Sequence, residues 1–360
     1  MKKAFKGNII LKDAIIENGY VCIEDDKITY VGTEKTENVE LVDVGADYIA
    51  PGFIDIHNHS SKVNTPEDDI DEMALYHGNK GTTTMLMTLY RNIPHQRLIN
   101  ALNKIKDALK RHKHIFGAHL EGPYLSSKYG TGSSGASQLY PDRKVYQEYF
   151  DTGIVKQITC APEVEGIDQF IEDAIKNDII ISIGHSQANY EQVKKAYDLG
   201  ARIETHIFDA TGRSMDPKSF AGTLDVSFDE ACMLMDDMYY EVICDSEWVH
   251  VRKEMLALLI KTVGIDRVVC ITDCYNGGVD DGRDINVVNG ELAGSKLTMD
   301  KVAINLYNAG YSLPQISKLT ALNASKAIKA FDRGEIAVGK KADLIRLTSK
   351  AEFVEILSIV

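Results

Sequence analysis

Three features of the 360-residue sequence predict an α/β fold, a (β/α)8 barrel with a small β-sandwich formed by the N- and C-terminal segments. From Pro51 onward, apolar strand-like runs alternate with helix-like stretches, the pattern that builds a parallel sheet. Eight such runs can be counted, the number that closes a barrel with its active site at the strands' C-terminal ends. The two chain ends read instead as short alternating strands. The expected division is 1–50 plus 335–360 for the small β unit and 51–334 for the barrel.

The first 50 residues hold "GNIIL", "GYVCIEDDKITYVG" and "ENVELVDVG", and the Asp-Asp-Lys stretch between two apolar runs reads as a hairpin turn. The eight barrel runs are "FIDIH", "TTTMLMTL", "IFGAHLE", "VKQITCAPE", "IIISIGHS", "RIETHIF", "YYEVICD" and "RVVCITD". Between them lie helices such as "HQRLINALNKIKDALKRH", where Leu98, Ala101, Leu102, Ile105 and Leu109 recur on one face. Another, "NYEQVKKAYDLG", ends at Gly200, a natural helix stop. Near the end, "RGEIAVGKKADLIRL" returns to β character and is expected to pair with the first strands.

A net charge of −13 disfavours nucleic acid and anionic membrane as partners. The start, "MKKAFKGNIILKDAIIENG", has no apolar run of signal-peptide length and no later stretch approaches a membrane span, so a cytoplasmic protein is expected. Six scattered cysteines without a CxxC pair read as buried reduced thiols.

The chemistry is positional. His57 and His59 close the first run, Glu121 the third, His185 the fifth, His206 the sixth and Asp273 the eighth. A barrel gathers such strand ends in space. An HxH pair on a strand points both side chains to one face, so His57 and His59 can chelate one ion. Imidazole with carboxylate suits zinc, iron or manganese, whereas magnesium and calcium take oxygens almost alone. His77, His95, His112 and His114 lie in helical or loop contexts and read as surface or structural.

In order along the chain, "PGFIDIHNH", "HLEGPYL", "APE", "GHS", "THIF", "ITD", "AGSKLTM" and "GEIAVGKKADL" resemble the amidohydrolase superfamily, specifically its N-acetylglucosamine-6-phosphate deacetylases. The resemblance runs almost end to end. It implies Glu121, His185 and His206 as ligands of one divalent ion and Asp273 as the catalytic acid/base. Some members carry HxH in the first motif and hold a second ion there; this sequence has both histidines, so one or two ions are expected, with Glu121 bridging. Zinc is expected first, with iron, manganese or cobalt as alternatives. Lys156 stands at the start of run four rather than at its active-site end, which argues against a site built on a carboxylated lysine. A coordinated water becomes acidic enough to supply hydroxide near neutral pH, and Asp273 would pass its proton to the leaving nitrogen. The family also implies a homodimer.

The resemblance further implies substrate-binding roles for Thr131, Gly132, Asp209, Ala210, Arg213, Trp248, His250, Leu292 and Ala293, and several of these depart from the family pattern. Gly132 stands near a family histidine, Asp209 replaces asparagine, Asp216 falls near a phosphate-binding arginine, and Trp248 replaces a histidine with His250 two residues on. A carboxylate about 4 Å from a phosphate costs on the order of 4 kcal/mol at an effective dielectric of 20. The expectation is a deacetylase acting on a different N-acyl small molecule, neutral or cationic, with Trp248 as an apolar or cation-π wall. The alternatives are a true phosphosugar deacetylase in which Arg213, Lys218 and His250 hold the phosphate, a ring-opening amidohydrolase or deaminase, and an inactive binding barrel.

Overall fold

Four strands open the chain: β1 (Lys2–Ile10), β2 (Ile15–Glu24), β3 (Lys27–Gly32) and β4 (Glu40–Pro51). The computed structural model describes residues 2–34, 39–129, 138–212 and 222–360. The expected Asp-Asp turn joins β2 to β3: Glu24 pairs with Lys27, and Asp25 takes the left-handed φ of 55° that a two-residue hairpin demands. Gly52 then links β4 to the barrel. A Cβ there would lie 2.1 Å from Thr83 Oγ1, so only glycine lets the two backbones approach.

The eight apolar runs are the eight barrel strands: β5 (Phe53–Asn58), β6 (Thr82–Tyr90), β7 (Ile115–Glu121), β8 (Val155–Cys160), β9 (Ile180–Ile183), β10 (Ile203–Glu204), β11 (Tyr239–Ile243) and β12 (Val268–Ile271). They pair in parallel in sequence order. β5, β9 and β12 are buried at every position, as expected of strands covered on both faces. The seam between β12 and β5 is closed at the strand ends, where Asp273 N donates to His57 O at 2.8 Å and His59 N to Cys274 O at 2.9 Å. Thr272 Oγ1 donates to Asp55 Oδ2 at 2.6 Å across the same seam.

Helix His95–Ala108 buries Leu98, Ala101, Leu102 and Ile105, with Leu109 packed behind them, the face its periodicity predicts. Helix Tyr190–Leu199 starts from an Asn189/Gln192 capping box and stops at Gly200, where φ is 122°. After the barrel come the hairpin β13 (Ile285–Val288) and β14 (Glu291–Ser295), then β15 (Leu344–Leu347) and β16 (Phe353–Ser358). The chain ends meet in one small sheet separate from the barrel, ordered β16-β15-β4-β1-β2-β3. Phe5, Ile9, Val21, Ile28, Ile49 and Leu344 give it a core of its own. All six cysteines are buried. Among the described residues no helix is long and apolar enough to cross a membrane.

Candidate active site

The strand period of two aims Asp55, His57 and His59 toward the barrel axis, and likewise His119 and Glu121 on β7. His185, His206 and Asp273 lie two residues beyond the ends of β9, β10 and β12. All three have left-handed backbone, with φ of 46°, 29° and 45°, in the region that His and Asp enter more readily than most side chains. There the chain turns sharply off each strand.

The six side chains meet. Glu121 Oε1 lies 2.8 Å from His185 Nε2 and 3.1 Å from His206 Nε2. Its Oε2 lies 3.3 Å from His59 Nε2, and Oε1 lies 3.4 Å from His57 Nε2. Asp273 Oδ1 stands 3.3 Å from His59 Nε2 and 3.6 Å from His57 Nε2. Two ligand-competent groups result, His57/His59/Glu121 and Glu121/His185/His206, sharing Glu121.

These residues fit divalent cations. His57 Nδ1 is 2.9 Å from Glu241 Oε2, and His206 Nδ1 is 3.2 Å from the Asp209 carbonyl. Donation through Nδ1 leaves a lone pair on each Nε2. Yet His57 Nε2 is 3.2 Å from His59 Nε2, and His206 Nε2 is 3.1 Å from His185 Nε2. Ring nitrogens this close share a proton or a metal cation between them. The field agrees. Burial alone would lower the His57 and His206 pKa values, but the Glu241 and Glu121 carboxylates outweigh it at His57, and Glu121 raises His206 to about 9. Burial would raise Glu121 and Asp273, and the imidazoles reverse this: His185 and His57 hold Glu121 well below the usual carboxylate range, His59 and His57 hold Asp273 there. A centre that binds protons this tightly also attracts a metal ion.

A cavity of about 400 Å³ opens above the cluster, lined by His59, Glu121, His185, His206 and Asp273 at its floor. Asp209, Ala210, Leu292 and Ala293 line it as the resemblance implies. Thr131, Gly132 and Arg213, with Asp216 and Lys218, lie outside the described residues. Trp248 does not line the cavity: it is buried in the main core, with Lys253 Nζ 5.5 Å from its ring centroid. His250 is equally committed, its Nδ1 2.9 Å from Asp245 Oδ2 and its Nε2 3.1 Å from the Gly294 carbonyl. Both nitrogens face acceptors, so this ring has no donor left for a ligand. His77 and His114 are structural, bonded to the carbonyls of Ser60 and Ala74.

Tyr90, Asn92, Tyr275, Val288, Glu291 and Gly294 complete the cavity and were not expected from the sequence, nor were Glu241 and His119 beneath it. Glu241 had a readable signal: a carboxylate inside the apolar run "YYEVICD" needs a buried partner. Its second oxygen accepts from Gln157 Nε2 at 2.9 Å. His119 lies under His57, ring centroids 4.6 Å apart, and bonds Thr159 Oγ1 at 2.8 Å. Burial and the His57 charge push its pKa well down, so it stays neutral.

A barrel whose strand ends bring four imidazoles and two carboxylates to one point is the working end of a metal-dependent hydrolase. The chain belongs to the amidohydrolase family, which it matches over residues 48–358. It is similar to the N-acetylglucosamine-6-phosphate deacetylase of Bacillus subtilis, 29% identical over 380 residues that cover 96% of this chain and 93% of that protein. The corresponding enzyme of Lysinibacillus sphaericus is 27% identical over 355 residues, covering 90% and 88%. The solved Thermotoga maritima N-acetylglucosamine-6-phosphate deacetylase covers 100% of both chains with a TM-score of 0.81 at 27% identity. The Pasteurella multocida structure shares the fold, with a TM-score of 0.86 at 24% identity over 99% and 98%. The chain is thus a hydrolase of carbon–nitrogen bonds other than peptide bonds, of deacetylase type, in a family that implies a divalent metal.

Proposed function

We propose that this chain releases a carboxylate, acetate in the simplest case, from the N-acyl group of a small molecule other than a phosphosugar. The carrying observation is the pair of ligand groups sharing Glu121, with Asp273 beside them at the floor of a cavity. In this reading His57, His59, Glu121, His185 and His206 hold one or two divalent ions, zinc first. A divalent ion held there would supply a water acidified toward a pKa of about 7 and a Lewis acid for the acyl carbonyl. Asp273, ionised by its imidazole neighbours, accepts the proton of the attacking water and delivers it to the leaving nitrogen, without which an amine leaves poorly. Tyr90 and Tyr275 flank His59, at 5.8 and 5.4 Å between centroids, and shield the reacting group from bulk water.

The substrate reading is supported by the wall: among the described lining residues there is no lysine or arginine to meet a phosphate. The relatives' names favour the second reading, a phosphosugar deacetylase whose phosphate is met by Arg213 or Lys218. We further propose a cytoplasmic homodimer in which residues 1–50 and 335–360 support the barrel without contributing chemistry. Acetate and ammonia release are measured from N-acetylglucosamine 6-phosphate and from uncharged N-acetyl amines, with Asp273→Asn as the blank. Acetate from the uncharged amides alone supports the proposal. Robust turnover of the phosphosugar establishes the second reading, and ammonia in place of acetate points to deamination.

A further inference from the structure

We infer that the cavity selects a cationic N-acyl compound, one bearing a second, free amine that Asp209 and Glu291 hold as an ammonium group; this rests on the deacylase reading above. Among the described residues four carboxylates line the cavity: Glu121, Asp209, Asp273 and Glu291. Glu121 and Asp273 are committed to the imidazole cluster, with contacts of 2.8 and 3.3 Å. Asp209 and Glu291 form no ion pair with a lysine or arginine among the described residues. A carboxylate half withdrawn from water loses hydration, and a complementary charge on the ligand restores what burial removed.

The position of Asp209 is set by its backbone. Its N–H donates to the His206 carbonyl at 3.0 Å, while its own carbonyl faces His206 Nδ1. The following turn is tied to Asp229, which accepts from Phe208 N at 3.3 Å and from Thr211 Oγ1 at 2.9 Å. Phe208 and Ala210 are held at φ of 71° and 53°, so this segment is a constrained turn rather than an extended loop. Its half-buried carboxylate therefore stands at a defined place one turn from the metal-competent floor. Glu291 lies at the exposed rim, where the β13–β14 hairpin passes over the cavity. Val288, Leu292, Tyr90 and Tyr275 supply apolar and aromatic surface in the same cavity. An ammonium on a short aliphatic or sugar frame matches a cavity that offers both carboxylate and apolar surface. About 400 Å³ suits a molecule of that size. The chain's net charge of −13 draws such a cation inward.

The test uses the zinc-loaded full chain and two matched series. One compares monoacetylated diaminobutane with N-pentylacetamide; the other compares a 2-acetamido sugar carrying a free amine with the same sugar unsubstituted and with N-acetylglucosamine 6-phosphate. The expected result is a kcat/KM at least tenfold higher for the cationic member of each series. Asp209→Asn lowers that cation-to-neutral ratio about 10- to 100-fold, the range of one charge-assisted hydrogen bond, and Glu291→Gln lowers it less. Rising salt narrows the ratio. Equal rates for cationic and neutral members, a ratio indifferent to Asp209→Asn, or preference for the phosphosugar each overturns the inference. Should no compound release acetate, the deacylase reading fails, and calorimetric binding of the same pairs to the zinc-loaded Asp273→Asn protein decides separately. Tighter binding of the cation then keeps the charge selectivity; equal binding removes it.

Discussion

At the scale of single residues, two carboxylates near the same imidazoles do different work. Asp273 faces the cavity, and Glu241 is sealed beneath His57. Asp273→Asn keeps the shape and removes the proposed proton acceptor, so kcat is expected to fall about 10²- to 10⁴-fold, while bound metal, measured by mass spectrometry, falls far less. Glu241→Gln has the opposite signature. It weakens the acceptor that sets the His57 tautomer, and loss of such a partner lowers metal affinity about 10- to 100-fold. Metal content after dialysis should drop, and excess zinc should restore turnover. His250 gives a pH signature. Burial opposes its protonation, but the Asp245 hydrogen bond and the Asp209 and Asp273 charges outweigh burial and raise its pKa. A raised folded pKa means that this stabilisation is complete below the unfolded value of about 6.5 and fades as pH rises through the folded one. The Tm deficit of His250→Gln is therefore larger at acid pH than at alkaline pH. Equal deficits at both would show that His250 is not charged in the native state.

Among the elements, the β13–β14 hairpin matters most for the cavity. Val288 pairs with Glu291 across Asn289 and Gly290, whose φ of 53° and 84° make the two-residue turn favoured by Asn-Gly. The hairpin is pinned to the barrel at Gly294, where a Cβ would come 2.4 Å from the Asp273 carbonyl and where φ is 60°. Gly294→Ala therefore has to displace the strand end at Asp273 or the hairpin. A left-handed alanine alone costs roughly 1–2 kcal/mol, so urea unfolding should show at least that loss together with a fall in kcat. The strand-end turns at His185, His206 and Asp273 belong to the same scale. Runs such as "RIETHIF" read as continuous strands, but β10 keeps only Ile203 and Glu204, because the chain turns away to aim His206.

For the whole molecule, the candidate metal centre joins the ends of β5, β7, β9 and β10, so an ion bound there acts as a clasp. A ligand at 100 times its Kd stabilises the native state by about 2.7 kcal/mol. Chelation should accordingly lower the Tm by on the order of 5 °C for a chain of this size, reversibly on adding zinc. A Tm indifferent to chelator and to added zinc would argue against metal binding in the folded protein. The mismatch between sequence and site is also a matter of scale. His57, His59, Glu121, His185, His206 and Asp273 were legible because each ends an apolar run, a local pattern. Tyr90, Asn92, Tyr275 and Glu291 were not, because nothing local distinguishes a cavity-facing tyrosine or glutamate from a surface one.

By itself the sequence determined the eight strands, the set of polar residues at their ends and the family, since hydrophobic period and strand-end position are properties of the chain alone. Only the tertiary structure decided what those residues share. It made Glu121 common to two ligand groups, committed His250 to Asp245 and Gly294, withdrew Trp248 into the core, and set Asp209 and Glu291 around one cavity. Contacts between residues far apart in the chain depend on barrel closure and on left-handed turns at strand ends, neither of which is written in any short stretch of residues.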